Sequence, residues 1–207
     1  MCTNNKPQRL LCIVSNMDTG GAETFLMKMY RQLDRNRYQM DFVVSGDGRG
    51  YYEDEIEQLG GIVYRITRKT KDFVAFRREL AAAVRDDGYP CVLRIGSDAL
   101  SAIDLWVAKR AGARRLAMRS SNASDGKGSL GMFLQKVFRR LLTSVADVKI
   151  APSDLAAAYT FGPKAVSNGE VHYLCNALDL NAYTFSPESR SAIRSETFTL
   201  CWRDIYS

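Results

Sequence analysis

Apolar residues recur along this chain in two rhythms. Short, nearly unbroken apolar runs occur at RLLCIVS (9–15), MDFVVS (40–45), GIVYRI (61–66), CVLRIG (91–96), RRLAM (114–118), DVKIAP (147–152) and EVHYLC (170–175). Between them lie longer segments in which apolar positions return every three or four residues, at about 22–34, 51–58, 73–86, 99–111, 130–145 and 154–161. The first rhythm predicts strands and the second predicts helices. A strand that is apolar at successive positions needs burial on both faces, which a parallel sheet between two helical layers supplies. Each strand-helix-strand unit crosses over right-handedly, so the alternation builds an α/β, doubly wound, Rossmann-like sheet of about seven mainly parallel strands.

Ligands of such sheets bind beyond the carboxyl ends of the strands, where strand order reverses. The loops that matter are then 16–22, 46–50, 67–72, 96–99, 119–129 and 152–154. In the first of them, Thr19-Gly20-Gly21 precedes a helix with Phe25, Leu26, Met29, Tyr30 and Leu33 on one face. Two readings of the glycine pair compete. In one, Gly20 provides an unusual backbone angle at a tight turn, and Glu23 complements the positive end of the helix. In the other, bare amides receive an anionic or hydroxyl-bearing ligand. The pattern lacks both GxGxxG spacing and a P-loop lysine.

The bulk properties narrow the field. The 207 residues, 46% hydrophobic and 25% charged, suffice for one large domain with its own core. No apolar run is long enough to cross a bilayer or to act as a secretory signal, which leads to an expectation of a cytoplasmic protein. Five scattered cysteines, no CxxC pair and a single histidine argue against disulfides and a structural zinc. Cys12, Cys91 and Cys175 lie in apolar runs and are expected to be buried. The net charge of +6 suits a phosphorylated small molecule or an anionic membrane surface, and no nucleic-acid-binding motif accompanies it. The segment 130–145 places Phe133, Val137 and Leu141 on one stripe beside Lys136, Arg139 and Arg140, which reads either as a helix that touches anionic membrane, such as its inner face, or as a core-packed helix with a solvated basic edge.

The stretch GGAETFLMKMYRQLDRNRYQMDFVVSGDGRGYYEDEIEQLGGIVYRI (20–66) resembles the amino-terminal domain of family-4 glycosyltransferases of the GT-B fold, which are retaining enzymes. The likeness continues through WVAKRAGARRLAMRSSNAS (106–124), APSDLAAAYTFG (151–162) and VHYLCNALDLNAYTFSPESRSAIRSE (171–196). It implies a role in exopolysaccharide, capsule or lipopolysaccharide assembly. The nucleotide-sugar is then a substrate and no cofactor is expected.

The resemblance also implies site residues. Gly20 and Gly21 are expected to line the cleft near the donor diphosphate. Arg119, Ser120, Ser121 and Asn122 stand where relatives carry a histidine-rich loop facing the acceptor. The guanidinium is suited to an acceptor phosphate, and the hydroxyls and amide to a sugar or lipid-linked sugar. Asn176 and Asp179 match a turn that closes the family's first domain and are assigned to the interdomain edge. Arg94 replaces a histidine region of the fourth strand and is expected to be a salt-bridged structural residue. The catalytic residue is not identified.

In the resembling enzymes a second Rossmann-like domain grips the nucleotide. Residues 1–190 are read as the first domain and 191–207, ending SETFTLCWRDIYS, as a truncated linker or tail. The expectation is an acceptor-side domain that transfers no sugar alone and is completed by a separate donor-domain chain. The alternative is a non-catalytic sugar- or anion-binding module, or an inactive remnant.

Overall fold

Six strand pairings, all parallel, join seven strands into one sheet in the computed structural model, which describes residues 6–121, 129–176 and 186–194. The chain runs β1 (Gln8–Ile13), α1 (Gly21–Gln32), β2 (Tyr38–Val44), α2 (Glu53–Gln58), β3 (Val63–Arg65), α3 (Phe73–Asp86) and β4 (Cys91–Gly96). It continues through α4 (Ser101–Ala111), β5 (Arg115–Ser120), α5 (Ser129–Val145), β6 (Val148–Ala151), α6 (Asp154–Phe161), α7 (Pro163–Ser167) and β7 (Val171–Tyr173). The strand order is β3-β2-β1-β4-β5-β6-β7. Order therefore reverses between β1 and β4, and the carboxyl ends of these two strands are where a sheet of this kind takes its ligand.

All seven expected strands and all six expected helices are present, within a few residues of their predicted bounds. The short helix α7 was not expected. Gly162 at φ +92 breaks the chain direction after α6, and Pro163 at the first helical position starts the new turn. In the sequence Gly-Pro reads only as a stop.

The unbroken apolar strands have a simple cause. Leu11 and Ile13 of β1 enter one core with Leu80, Leu105 and Leu142 of α3, α4 and α5. Cys12 and Val14, the alternate positions, enter a second core with Phe25, Leu26 and Ile56 of α1 and α2. Burying both faces requires an apolar residue at every position. Asp72 caps α3 by accepting from Val74 N and Ala75 N, and Ser153 caps α6 by accepting from Ala156 N at 3.3 Å.

One buried carboxylate lies inside the sheet. Asp41 of β2 is fully buried and accepts from Arg9 Nε at 2.6 Å, Tyr89 Oη at 2.7 Å and Ile62 N at 2.8 Å. It thus joins β1, β2, the segment before β3 and the segment before β4. Tyr64 Oη lies 3.0 Å from Tyr89 Oη and extends the network.

The chain divides into two units, residues 1–176 and 177–207. The first contains the whole sheet. In the second, residues 187–194 are helical. The cysteines differ from expectation: Cys12 is buried, Cys91 is partly covered and Cys175 is exposed, with its thiol 3.4 Å from Pro152 O. Cys175 follows β7 at the sheet edge, where no further strand among the described residues covers it.

Candidate functional site

The loop after β1 is held from below. Met17 is fully buried, and its carbonyl accepts from Tyr52 N at 2.9 Å. Asp18 accepts from Tyr51 N at 3.1 Å. The loop after β2 closes on it so tightly that a Cβ on Gly50 would lie 2.9 Å from Met17 backbone atoms. Glu53 ties the β2 loop down in turn, accepting from Gly50 N at 2.8 Å and pairing with Arg65 at 2.7 Å. Two loops of the crevice are therefore built as one rigid rim.

The glycine pair lies on this rim, exposed. Gly20 has φ −73 and ψ 165, ordinary extended backbone, so the unusual-angle reading is wrong. Its carbonyl begins α1 by accepting from Thr24 N at 2.9 Å. A Cβ on Gly20 would meet only the flexible Glu23 carboxylate, which has folded back over the helix start. A Cβ on Gly21 would meet nothing within 4 Å. Neither backbone angle nor internal packing thus requires glycine at position 21.

Cations line the carboxyl ends of the neighbouring strands, and most have a carboxylate of their own. Arg68 pairs with Asp47 at 3.2 Å. Arg94, on β4 beside Ile13, donates Nε to Asp104 at 2.7 Å and Nη1 to Ile13 O at 3.1 Å. Lys69 takes the other oxygen of Asp104 at 2.6 Å. Arg94 is therefore the ion-paired residue the sequence suggested. Lys69 and Asp104 were missed, although a polar residue at an inward position of the apolar helix SAIDLWVAK was the available signal.

Arg119 is different. It is the penultimate residue of β5, and its guanidinium carbon lies 3.8 Å from the Phe25 ring centroid of α1. The residue is 2% exposed. Its Nη2 donates to Asn176 Oδ1 at 2.7 Å and to Leu174 O at 3.4 Å, while Nε is buried with no partner. No carboxylate among the described residues pairs with it, and burial pulls its pKa below the usual arginine value. A buried cation with stacking, one amide oxygen and one carbonyl, but no counter-charge among the described residues, holds unspent capacity for an anion.

The other expected site residues separate. Ser120 turns away from Arg119, into the opposite face, where its hydroxyl is 2.7 Å from Thr160 Oγ1 and 3.2 Å from Ala156 O. It packs β5 on α6 and offers nothing to an acceptor, which corrects the expectation. Ser121 donates its amide to Gly96 O at 3.1 Å and fixes the end of β5 to that of β4. Asn176 is brought onto Arg119, while Asn122 and Asp179 lie outside the described residues. His172 lies exposed on β7.

No family model matches the chain. EpsF of Bacillus subtilis (strain 168), named as a glycosyltransferase, is 28% identical over 195 residues, covering 91% of this chain and 50% of EpsF. The chain is glycosyltransferase-like. Among solved structures, Anabaena Alr3699/HepE in complex with UDP and glucose superposes with a TM-score of 0.61 at 19% identity, over 92% of this chain and 50% of HepE. MurG of Acinetobacter baumannii gives 0.57 at 13%, over 83% and 46%. These two share the fold. The chain spans about half the length of the relatives it matches.

Proposed function

We propose that this chain forms the acceptor-side wall of a retaining, family-4-type sugar-transfer site in polysaccharide assembly. A second nucleotide-gripping domain, on the same polypeptide or a separate chain, forms the opposing wall. The observation that carries the reading is Arg119, a buried cation with no carboxylate partner among the described residues, at the carboxyl end of a sheet whose relatives include a protein named as a glycosyltransferase.

An acceptor phosphate entering beside Asn176 supplies the counter-charge that Arg119 lacks, in the bidentate geometry a guanidinium favours. Gly21, open to solvent, leaves room on the rim for the donor diphosphate and sugar. Transfer then requires the anomeric carbon held about 3–3.5 Å from the acceptor oxygen, a constraint that one wall does not impose by itself. The nucleotide-sugar is a substrate, and the acceptor is a phosphate-bearing or lipid-linked sugar.

The test is a radiolabelled-sugar assay over a panel of nucleotide-sugars and lipid-linked acceptors. The chain is assayed alone and fused to the remaining half of EpsF. The expected result is no turnover alone and turnover in the fusion, lost on Arg119→Met and reduced on Gly21→Val. Turnover by the chain alone, or a fusion indifferent to Arg119, would overturn the proposal.

A further inference from the structure

Two adjacent tyrosines of the rim have opposite fates. Tyr52 is 8% exposed and holds the loops together. Its amide donates to Met17 O, its hydroxyl lies 3.0 Å from Thr24 Oγ1, and the Arg31 guanidinium sits 5.7 Å from its ring. Tyr51 is 72% exposed, more than any other aromatic residue among the described ones. Its hydroxyl has no hydrogen-bond partner among them.

The Tyr51 ring still has a fixed base. Its amide donates to Asp18 Oδ1 at 3.1 Å, and Gly50 before it is pressed against the Met17 backbone. The ring meets that of Tyr52 edge to face, with centroids 5.0 Å apart. A large flat ring that contributes little burial, on a base that does not move, is pre-organised to stack on a ligand.

The surrounding charges decide which ligand. On the same rim Asp18 and Glu23 have no cationic partner among the described residues, and Asp18 Oδ2 is unused. The cations of these two loops and their helices are engaged: Arg31 pairs with Glu55 at 2.6 Å, and Arg49, two residues before Tyr51, pairs with Asp54 and Glu57. The helices that follow the two loops share this bias. Together α1 and α2 hold two basic side chains against five carboxylates, whereas α3, α4 and α5 hold eight against three. On that basic side the exposed Phe133 and Val137 of α5 lie among Lys136 and Arg140, while Leu141, expected on their stripe, packs against the core. An aromatic ring beside free carboxylates repels a nucleotide or any other phosphate. It suits a neutral ring rich in hydroxyls, whose C–H bonds lie on the electron-rich aromatic face and whose O–H groups donate to carboxylate oxygens.

We propose that Tyr51 is a stacking platform for a neutral pyranose, beside the free carboxylate oxygen of Asp18. The inference rests on the sugar-transfer reading for the class of ligand and adds a second subsite to it. The two subsites are joined through the first turn of α1: Phe25 covers Arg119, its neighbour Thr24 contacts Tyr52, and Tyr52 supports Tyr51. The phosphate end of an acceptor belongs at Arg119, and a sugar farther along the same acceptor belongs at Tyr51.

Saturation-transfer NMR of the full chain tests it, with the methyl glycosides of glucose, galactose, mannose and N-acetylglucosamine as probes and UMP as comparator. At least one glycoside is expected to receive saturation on the protons of one ring face. That signal should fall at least about fivefold in Tyr51→Ala and persist in Tyr51→Phe, which keeps the ring. Because the probes carry no phosphate, Arg119→Met should leave the signal unchanged, so failure of the Arg119 reading and failure of this one are read separately. Circular dichroism and the urea midpoint of Tyr51→Ala should match wild type, since the ring is exposed. Absence of a Tyr51-dependent signal with every glycoside would overturn the proposal. A Tyr51→Phe variant as weak as Tyr51→Ala, or a stronger Tyr51-dependent signal on UMP than on any glycoside, would overturn it too.

Discussion

Arg119 and Gly21 separate the cost of folding from the capacity to bind. The Arg119 guanidinium, buried with no carboxylate partner among the described residues, loses hydration and receives one stacked ring, one amide oxygen and one long backbone carbonyl contact in return. Arg119→Met, of similar volume, should therefore leave stability within about 1 kcal/mol or raise it, as read by urea unfolding. A loss of several kcal/mol would show that Arg119 holds the fold rather than a ligand. Gly21→Ala should stabilise by about 0.5 kcal/mol, because the first helical position has open space and ordinary angles, and alanine restricts the unfolded chain. A loss of stability would mean that the fold requires this glycine after all. Sequence resemblance located both residues. It did not foresee that Arg119 is buried, because burial depends on Phe25 of α1, distant in sequence, lying over the guanidinium. Nor did it foresee that Ser120, one residue on, faces the opposite way through strand alternation.

At the scale of elements, the Asp41 network joins strands that the apolar pattern treated only as separate runs. The run MDFVV reads as a strand despite its aspartate, and what pairs with that aspartate is 32 positions away in Arg9 and 48 away in Tyr89. Such partners are set by the parallel pairing and are invisible to a local reading. Asp41→Asn leaves Arg9 and Tyr89 facing a neutral amide in a buried site and should destabilise by about 3 kcal/mol, measured by urea unfolding. A loss below about 1 kcal/mol would show that the network contributes little. Burial pushes the phenols of Tyr30 and Tyr64 up to about 12, and burial with hydrogen bonds to Tyr64 and Asp41 holds that of Tyr89 higher still. The folded state thus resists ionisation of groups that ionise near 10 when unfolded. Their stabilisation is complete below about pH 10 and is lost as pH rises through about 12. Urea midpoints should hold between pH 7 and about pH 9.5 and fall steeply above, together with the rise of tyrosinate absorbance; a midpoint still flat at about pH 11.5 would contradict this.

Across the whole molecule, the fold was legible because hydrophobic burial on both faces of a parallel sheet leaves its mark at every strand position. Strand order, and with it the reversal between β1 and β4, was not legible, because the alternation of strands and helices implies parallel strands without fixing which lie side by side. The opposite charge of the two helical layers was not legible, since it depends on which face each helix takes after the chain crosses over at α3. The central claim is that the carboxyl end of this sheet receives an anionic, sugar-bearing ligand at Arg119. Isothermal titration of a diphosphate-linked sugar into the chain tests it most directly. The account predicts saturable binding in wild type, weakened at least about tenfold in Arg119→Met and unaffected by Lys136→Glu/Arg140→Glu on the distant basic face. Binding of equal strength in wild type and Arg119→Met, or no binding by wild type, would contradict it.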